Sequence, residues 1–153
     1  MDRPQTPVAF IDANVIIRQL TAPVTPEDRE MAAIARDLLL DAARHRITIW
    51  LSDAVVAEAL YILTSPRHYA VSRERAVTGM MDILHLSGCA LDDKDACIAA
   101  VEMWGMHPKL SFVDCLVAAR TISRGGLAAT FDRRLQRVPG LAIWPPMRAT
   151  GAS

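Results

Sequence analysis

Short apolar runs alternate along this chain with longer segments whose apolar residues recur at helical spacing, and this alternation constrains the fold most. Short runs rich in β-branched residues favour strands, and apolar residues at every third or fourth position favour amphipathic helices. The strand candidates are residues 8–11, 47–51, 89–91, 127–130 and 141–144. The helix candidates are residues 15–20, 27–46, 53–65, 72–86, 92–104, 111–124 and 133–136. The alternation predicts the α/β class, with a four- to five-stranded parallel sheet and helices on both of its faces.

Length and composition indicate one globular domain. The chain has 153 residues, of which 52% are apolar and 22% are charged, and these values exclude an intrinsically disordered protein. We expect a single domain over residues 1–144. The remaining residues, 145–153, begin with two prolines and contain mostly small or polar side chains, which predicts a flexible C-terminal tail.

Charge and cysteine content restrict the function classes and the compartment. The formal net charge is zero, so any binding of nucleic acid has to rest on a local basic patch. The three cysteines match no metal-ligand spacing. Neither a signal peptide nor an apolar run long enough for a membrane span is recognisable in the sequence. These observations predict a cytoplasmic protein with reduced thiols.

Most acidic residues have an ordinary explanation as helix starts. A carboxylate in the first turn of a helix accepts hydrogen bonds from free backbone N–H groups and interacts favourably with the helix dipole. This explains Glu27, Asp28, Glu30, Asp92, Asp93 and Asp95. The acids that are harder to explain in this way are Asp12, Glu58, Asp114 and Asp132.

Asp12 and Asp132 each follow a predicted strand. In open α/β sheets, ligands bind at the carboxyl ends of the strands, at the point where the strand order reverses. If the strands that end at these two residues are neighbours at that point, both carboxylates line one crevice. Each residue also has an alternative interpretation as the N-cap of the helix that follows, because Asp is among the best N-cap residues.

Glu58 and Asp114 lie on predicted helices rather than at strand ends. Glu58 falls at the flank of the apolar stripe of its helix, where it is either solvated or directed into a cleft. Asp114 forms a capping-box pattern with Ser111, with Asp at the position usually taken by Glu. The helix of Asp114 is apolar around most of its circumference, which predicts a largely buried helix. A carboxylate buried there would need a partner, and a metal ion is one candidate.

Four carboxylates that converge would form a binding site for a hard cation. Clustered carboxylates repel one another, so their pKa values rise unless a cation fills the site. Oxygen ligands without histidine or cysteine suit Mg²⁺ or Mn²⁺. Such a site favours in-line displacement at phosphorus, in which metal activates water and stabilises charge on the leaving oxygen.

Four stretches of the sequence resemble the motifs of the PIN-domain ribonucleases and, within them, of the VapC-type toxins of bacterial toxin–antitoxin pairs. They are Phe-Ile-Asp-Ala-Asn-Val, Val-Ala-Glu-Ala-Leu-Tyr-Ile-Leu, Leu-Ser-Phe-Val-Asp-Cys-Leu-Val-Ala-Ala and Ala-Thr-Phe-Asp-Arg-Arg-Leu. Their order and separation fit this family over nearly the whole chain. The resemblance implies a three-layer α/β/α fold and Mg²⁺- or Mn²⁺-dependent cleavage of RNA. It also implies a homodimer and inhibition by a small VapB-type antitoxin.

The resemblance assigns roles to individual residues. The catalytic and metal-binding acids would be Asp12, Glu58, Asp114 and Asp132. Asn14 and Thr130 would orient these carboxylates or a water molecule. None of the four acids is missing, so an active endoribonuclease is predicted. The local cations that could contact RNA are Arg18, Arg67, Lys109, Arg133, Arg134 and Arg137.

Two other functions remain open from the sequence. The same fold could serve as a non-catalytic module that binds RNA or a protein, although the complete set of acids argues against it. A phosphoacceptor receiver domain also gathers acids at strand ends. It would need a lysine after the last strand, where this sequence reads Trp144-Pro145-Pro146.

Overall fold

Strands and helices alternate along the chain, as the sequence predicts, in a computed structural model that describes residues 5–144. The strands in this range are β1 (Val8–Phe10), β2 (Thr48–Leu51), β3 (Cys89–Leu91), β4 (Ala128–Ala129) and β5 (Ile143–Trp144). The helices are α1 (Ala13–Leu20), α2 (Pro26–Ala43), α3 (Asp53–Thr64), α4 (Arg73–Leu84), α5 (Lys94–Met106), α6 (Phe112–Ser123) and α7 (Arg133–Gln136). None of these helices is long and apolar enough to cross a membrane. The predicted tail, residues 145–153, lies outside the described range.

The elements form two compact units that divide between Lys94 and Asp95. In the first unit, three parallel strands pair in the order β1-β2-β3, and Trp50 of β2 pairs with Phe10 on one side and Ala90 on the other. In the second unit, β4 and β5 form a two-stranded parallel sheet. The five predicted strands are therefore present and parallel to their neighbours, and within residues 5–144 they are divided between two sheets.

The prediction that residues 8–11 form a buried strand is wrong for most of that run. Val8 is 51% exposed and Phe10 is 78% exposed, whereas Ile11 is only 7% exposed. β1 lies at one edge of its three-stranded sheet, but β3 lies at the other edge and buries Cys89 and Leu91, so edge position alone does not account for the exposure of β1. The ring of Phe10 contacts the ring of Trp50 at a centroid distance of 6.2 Å. The apolar run therefore predicts the strand correctly but not its burial.

The core of the first unit is built around α1 and α3, which pack against each other. α1 buries Ile16 and Ile17, and α3 buries Leu60 and Leu63, both at 0% exposure. Burying an isoleucine or leucine side chain contributes roughly 1.5–3 kcal/mol. These side chains therefore fix the position of α1 relative to α3.

Side-chain caps start several of the helices. Thr25 and Ser111 begin α2 and α6 in capping boxes. Ser52, rather than Asp53, caps α3, because its Oγ accepts a hydrogen bond from the backbone N–H of Val55 at 3.2 Å. Local hydrogen bonding thus sets the helix starts that position the residues of interest.

The bounds predicted for α5 are wrong at both ends. Asp92 and Asp93 precede the helix, and Asp93 has a positive φ of 54° that excludes it from a right-handed helix. At the other end, α5 continues through Gly105 to Met106. A glycine ends a helix most effectively when it takes a positive φ, as Gly125 does at φ 61° directly after α6.

Candidate functional site

Asp12 follows β1 and is the N-cap of α1. Its Oδ1 accepts hydrogen bonds from the backbone N–H of Asn14 at 3.0 Å and of Val15 at 3.4 Å. The interpretation of Asp12 as a helix cap is therefore confirmed. Both bonds end on Oδ1, so among the described residues Oδ2 keeps its capacity to accept another ligand. The side chains of Asp12 and Asn14 are both exposed.

Glu58 is exposed on α3, next to the buried residues Ala59 and Leu60. This position at the flank of the buried side is the one that the helical spacing predicts. Because α3 packs against α1, whose first turn Asp12 caps, the first unit carries Asp12 and Glu58 on two helices in contact.

Asp114 completes a capping box at the start of α6. Its Oδ2 accepts a hydrogen bond from the backbone N–H of Ser111 at 3.0 Å, and its own N–H donates to Ser111 Oγ at 3.1 Å. The expectation that α6 is buried around most of its circumference is wrong, since Val113 is 55% exposed and Val117 is 42% exposed. Asp114 is half-buried, and its Oδ1 accepts no hydrogen bond from the residues that the structure describes.

Asp132 is the N-cap of α7 and forms a two-pronged ion pair with Arg134. Its Oδ1 accepts hydrogen bonds from the backbone N–H of Arg134 at 2.8 Å and from Arg134 Nε at 3.1 Å. Its Oδ2 accepts a hydrogen bond from Arg134 Nη2 at 2.8 Å. The side-chain hydrogen bonds from Arg134, followed by the backbone one, lower the pKa of Asp132 to about 2. Asp132 is therefore held as a carboxylate anion.

Two further hydrogen bonds hold the loop between β4 and α7. The backbone N–H of Asp132 donates to Thr130 Oγ1 at 3.0 Å. Gln136 Nε2 donates to the backbone carbonyl of Thr130 at 3.0 Å. Thr130 and Gln136 therefore fix the backbone on which the Asp132 carboxylate is mounted. No sequence pattern indicates this contribution of Gln136.

Arg134 links the two acids of the second unit. The side-chain hydrogen bonds and the charge of Asp132 raise the pKa of Arg134, and the charge of Asp114 raises it further. The supporting helices, α6 and α7, are in contact. Arg134 is therefore bonded to Asp132, and Asp114 acts on it only through its charge.

Replacing Arg134 with Gln should bring the pKa of Asp132 back toward its ordinary value of 3.8. Since the folded-state pKa is lowered to about 2, the ion pair stabilises the fold above about pH 4 and loses this effect as the pH falls through about 2. Arg134→Gln should therefore melt at a lower temperature than wild type at neutral pH, and the difference should shrink below about pH 4. Thermal unfolding of both proteins across this pH range tests the expectation. A difference that does not change with pH would contradict it.

Each unit carries two of the four predicted acids, and their convergence on one ion remains a prediction. Among the described residues, no three His, Cys, Asp or Glu side chains form a group that could hold a metal ion. The donor chemistry fits Mg²⁺ or Mn²⁺, because the acids offer hard carboxylate oxygens on exposed or half-buried side chains. Both oxygens of Asp132 are bonded to Arg134, so that carboxylate has a competing cation.

Comparison with known protein families identifies the family to which this chain belongs. The sequence profile of the PIN domain matches residues 9–141. The chain belongs to the PIN-domain family. All four predicted acids of this PIN domain lie within the matched residues, and PIN domains are generally nucleases that use divalent metal ions. A comparison with curated proteins finds no match.

Membership of the PIN-domain family confirms the α/β fold class and the nuclease superfamily that the sequence predicts. The contribution of Arg134 to this PIN domain was not predicted, since the sequence suggests that residue only as an RNA contact. A signal for it exists in Asp132-Arg133-Arg134. An arginine two residues after an N-cap aspartate lies in the first helical turn, within reach of the carboxylate it follows.

Proposed function

We propose that this PIN-domain protein is a Mg²⁺- or Mn²⁺-dependent endoribonuclease of the VapC toxin type. The observation that carries the proposal is the placement of Asp12 and Asp132. Each follows a parallel strand and caps the helix that comes next. The carboxyl ends of parallel strands are where α/β proteins bind their ligands, and a carboxylate mounted there is suited to bind a cation.

In this proposal Asp12, Glu58, Asp114 and Asp132 hold the metal, and Asn14 and Thr130 orient these carboxylates or a water molecule. When bound, Mg²⁺ or Mn²⁺ would supply an activated water and stabilise charge on the leaving oxygen. The capping bonds of Asp12 and Asp114 use one carboxylate oxygen each. They restrain these side chains before any ligand arrives, which lowers the entropic cost of binding.

Arg134 affects how Asp132 can bind a metal ion in this proposal. The ion pair lowers the pKa of Asp132 to about 2, but an ordinary aspartate is also ionised at physiological pH, so Arg134 does not decide the charge of Asp132 there. The same guanidinium competes with a metal ion for both carboxylate oxygens. We expect Arg134→Gln to bind Mn²⁺ more tightly than wild type at neutral pH for this reason.

Millimolar Mg²⁺ or Mn²⁺ is expected to raise the melting temperature of the wild-type protein. An ion that binds the folded acids but not the unfolded chain stabilises the fold, by about 2.7 kcal/mol when its concentration is 100 times the Kd. Asp12→Asn should lose most of this shift. Glu102→Gln removes an exposed carboxylate from α5 and should keep it. A wild-type melting temperature unaffected by either ion would argue against the metal site.

Cleavage of RNA in the presence and absence of metal tests the activity itself. The purified protein is incubated with single-stranded and structured RNA in Mg²⁺, in Mn²⁺ or in EDTA, and sequencing of the new RNA ends locates the cuts. Internal cleavage with either ion and none in EDTA would support the proposal. Intact RNA under all conditions would contradict it, and cleavage in EDTA would contradict the metal dependence.

We further propose that the protein is a cytoplasmic homodimer inhibited by a VapB-type antitoxin. The support is the resemblance of four sequence stretches to VapC-type motifs, which implies such partners. A short upstream reading frame for a DNA-binding protein, whose product co-purifies and blocks cleavage, would support the antitoxin. Light scattering of the purified chain measures the oligomeric state.

A non-catalytic PIN module that binds RNA is the second candidate. It is favoured by the bonding of both Asp132 oxygens to Arg134, which reduces the capacity of this acid to bind a metal. Such a module would bind RNA equally well with and without metal and would leave it intact. Binding and cleavage measured on the same RNA separate the two functions.

A further inference from the structure

The second unit contains a cavity of about 260 Å³ that combines an apolar lining with three cationic side chains. The end of α5 and the loop after it contribute Met106, His107, Pro108, Lys109 and Leu110, and α7 with its C-cap contributes Arg134 and Arg137. We call this space the Lys109–Arg137 cavity. Its volume is slightly below the range of about 300–1,000 Å³ that is usual for drug-sized ligands, so it suits a small group such as one phosphate with part of its sugar.

Two of the three cations around the cavity have no carboxylate partner among the described residues. Lys109 and Arg137 are exposed, and within residues 5–144 neither side chain forms an ion pair. Arg134 is the third cation, and its carboxylate partner is Asp132. Cations that lie around one cavity repel each other, and an anion bound between them offsets this repulsion.

Arg134 joins the cavity to the proposed catalytic acids. Its guanidinium bonds Asp132 at 2.8 Å and also interacts with the charge of Asp114, while the same residue lines the cavity. A phosphate held by Lys109 and Arg137 would therefore lie beside Arg134, which is bonded to Asp132 and affected by the charge of Asp114. An anion in that position would also compete with Asp132 for the Arg134 guanidinium.

We propose that the Lys109–Arg137 cavity binds a phosphate of the RNA backbone and positions the strand next to Asp114 and Asp132. The inference rests on the proposed nuclease function and adds to it the residues that hold the substrate. Backbone phosphates carry the charge that such cations recognise without reading the base sequence. The continuity with the proposed catalytic acids favours RNA over an acidic protein segment as the ligand.

Binding of RNA by a non-cleaving form of the protein tests the cavity. The probe is a short fluorescein-labelled single-stranded RNA of mixed sequence, titrated with Asp12→Asn protein in EDTA. Adding Lys109→Ala and Arg137→Ala should weaken binding at least about tenfold, since two charge-assisted contacts to phosphate are lost. The slope of log K against log salt should fall by about 0.7, the value for one phosphate neutralised on a single strand.

A matched pair of substitutions controls for the loss of two positive charges. Arg44→Ala and Arg75→Ala remove exposed arginines of the first unit that do not line the cavity, and together they should change affinity less than about twofold, because they remove charge without removing a contact in the cavity. Unchanged affinity and salt slope in the Lys109→Ala/Arg137→Ala protein would overturn the proposal. Equal competition by a polyglutamate peptide of the same charge would also overturn it in favour of an acidic protein ligand.

Cleavage by the otherwise wild-type protein separates failure of this inference from failure of the proposed nuclease function. If the wild type cleaves RNA and Lys109→Ala/Arg137→Ala has the same KM, the cavity is not the substrate site although the protein is a nuclease. If the wild type never cleaves RNA but the two substitutions reduce binding and salt slope as stated, the cavity stands and the nuclease proposal fails.

Discussion

Asp12→Asn should reduce RNA cleavage by about 100- to 1,000-fold, the usual cost of losing one group that stabilises charge in a transition state. The fold should survive, because Asn and Asp are equally good N-cap residues. The amide oxygen of Asn can still accept the hydrogen bonds that Asp12 Oδ1 receives from Asn14 and Val15. The substitution therefore removes the charge and keeps the cap. Single-turnover cleavage assays and thermal unfolding of the same preparation measure both effects.

The chain offers a matched control for the corresponding change at Asp114. Asp28 occupies the same position in the capping box of α2 that Asp114 occupies in α6. Both Asp28→Asn and Asp114→Asn weaken a capping box, but only Asp114→Asn removes a proposed metal ligand. We expect Asp114→Asn to lose cleavage and Asp28→Asn to retain it. Wild-type cleavage by Asp12→Asn or Asp114→Asn would refute the assignment of the acids.

Leu60→Ala should destabilise the protein by about 2–5 kcal/mol, which is typical of a fully buried leucine truncated in a core. Leu60 is 0% exposed on α3, the helix that packs against α1. A loss of this size is a large share of the total stability of a small protein, about 5–15 kcal/mol. Urea denaturation gives the free energy of unfolding directly.

Tyr61→Ala provides the control on the neighbouring position of α3. Tyr61 is 70% exposed, and substitutions at such surface positions usually change stability by less than about 0.5 kcal/mol. The pair separates loss of core packing from loss of helix propensity. Equal destabilisation by both substitutions would mean that Leu60 does not hold α3 in the core.

Much of the secondary structure could be predicted because its signals are local. β3 (Cys89–Leu91) and α7 (Arg133–Gln136) have the predicted bounds. Gly88 marks the start of the first, and Asp132 caps the second. The exposure of Phe10 could not be predicted in this way, because it depends on which elements pack against β1, and no local sequence pattern specifies that packing.

The sequence predicted which residues form the candidate site but not how their side chains contact one another. The positions of Asp12, Asp114 and Asp132 follow from strand ends and capping patterns, and the structure confirms those capping contacts. The fork between Asp132 and Arg134 depends on side-chain torsions and on competition among several nearby cations. The spacing of Asp132 and Arg134 makes the contact possible, but it does not determine these torsions or decide which cation pairs with Asp132. The half-buried state of Asp114 depends on which face of α6 packs, and apolar content alone predicted it wrongly.

The register of the first sheet also has a consequence for synthesis of the chain on the ribosome. Val8 pairs with Thr48, and Ile49 pairs with Cys89. Paired residues in this sheet are therefore forty positions apart in the sequence. At about 5–20 residues per second, β1 emerges about 2–8 s before β2 can pair with it. Ile11, the residue between this strand and Asp12, donates its backbone N–H to the carbonyl of Trp50, so this bond can form only after β2 has emerged.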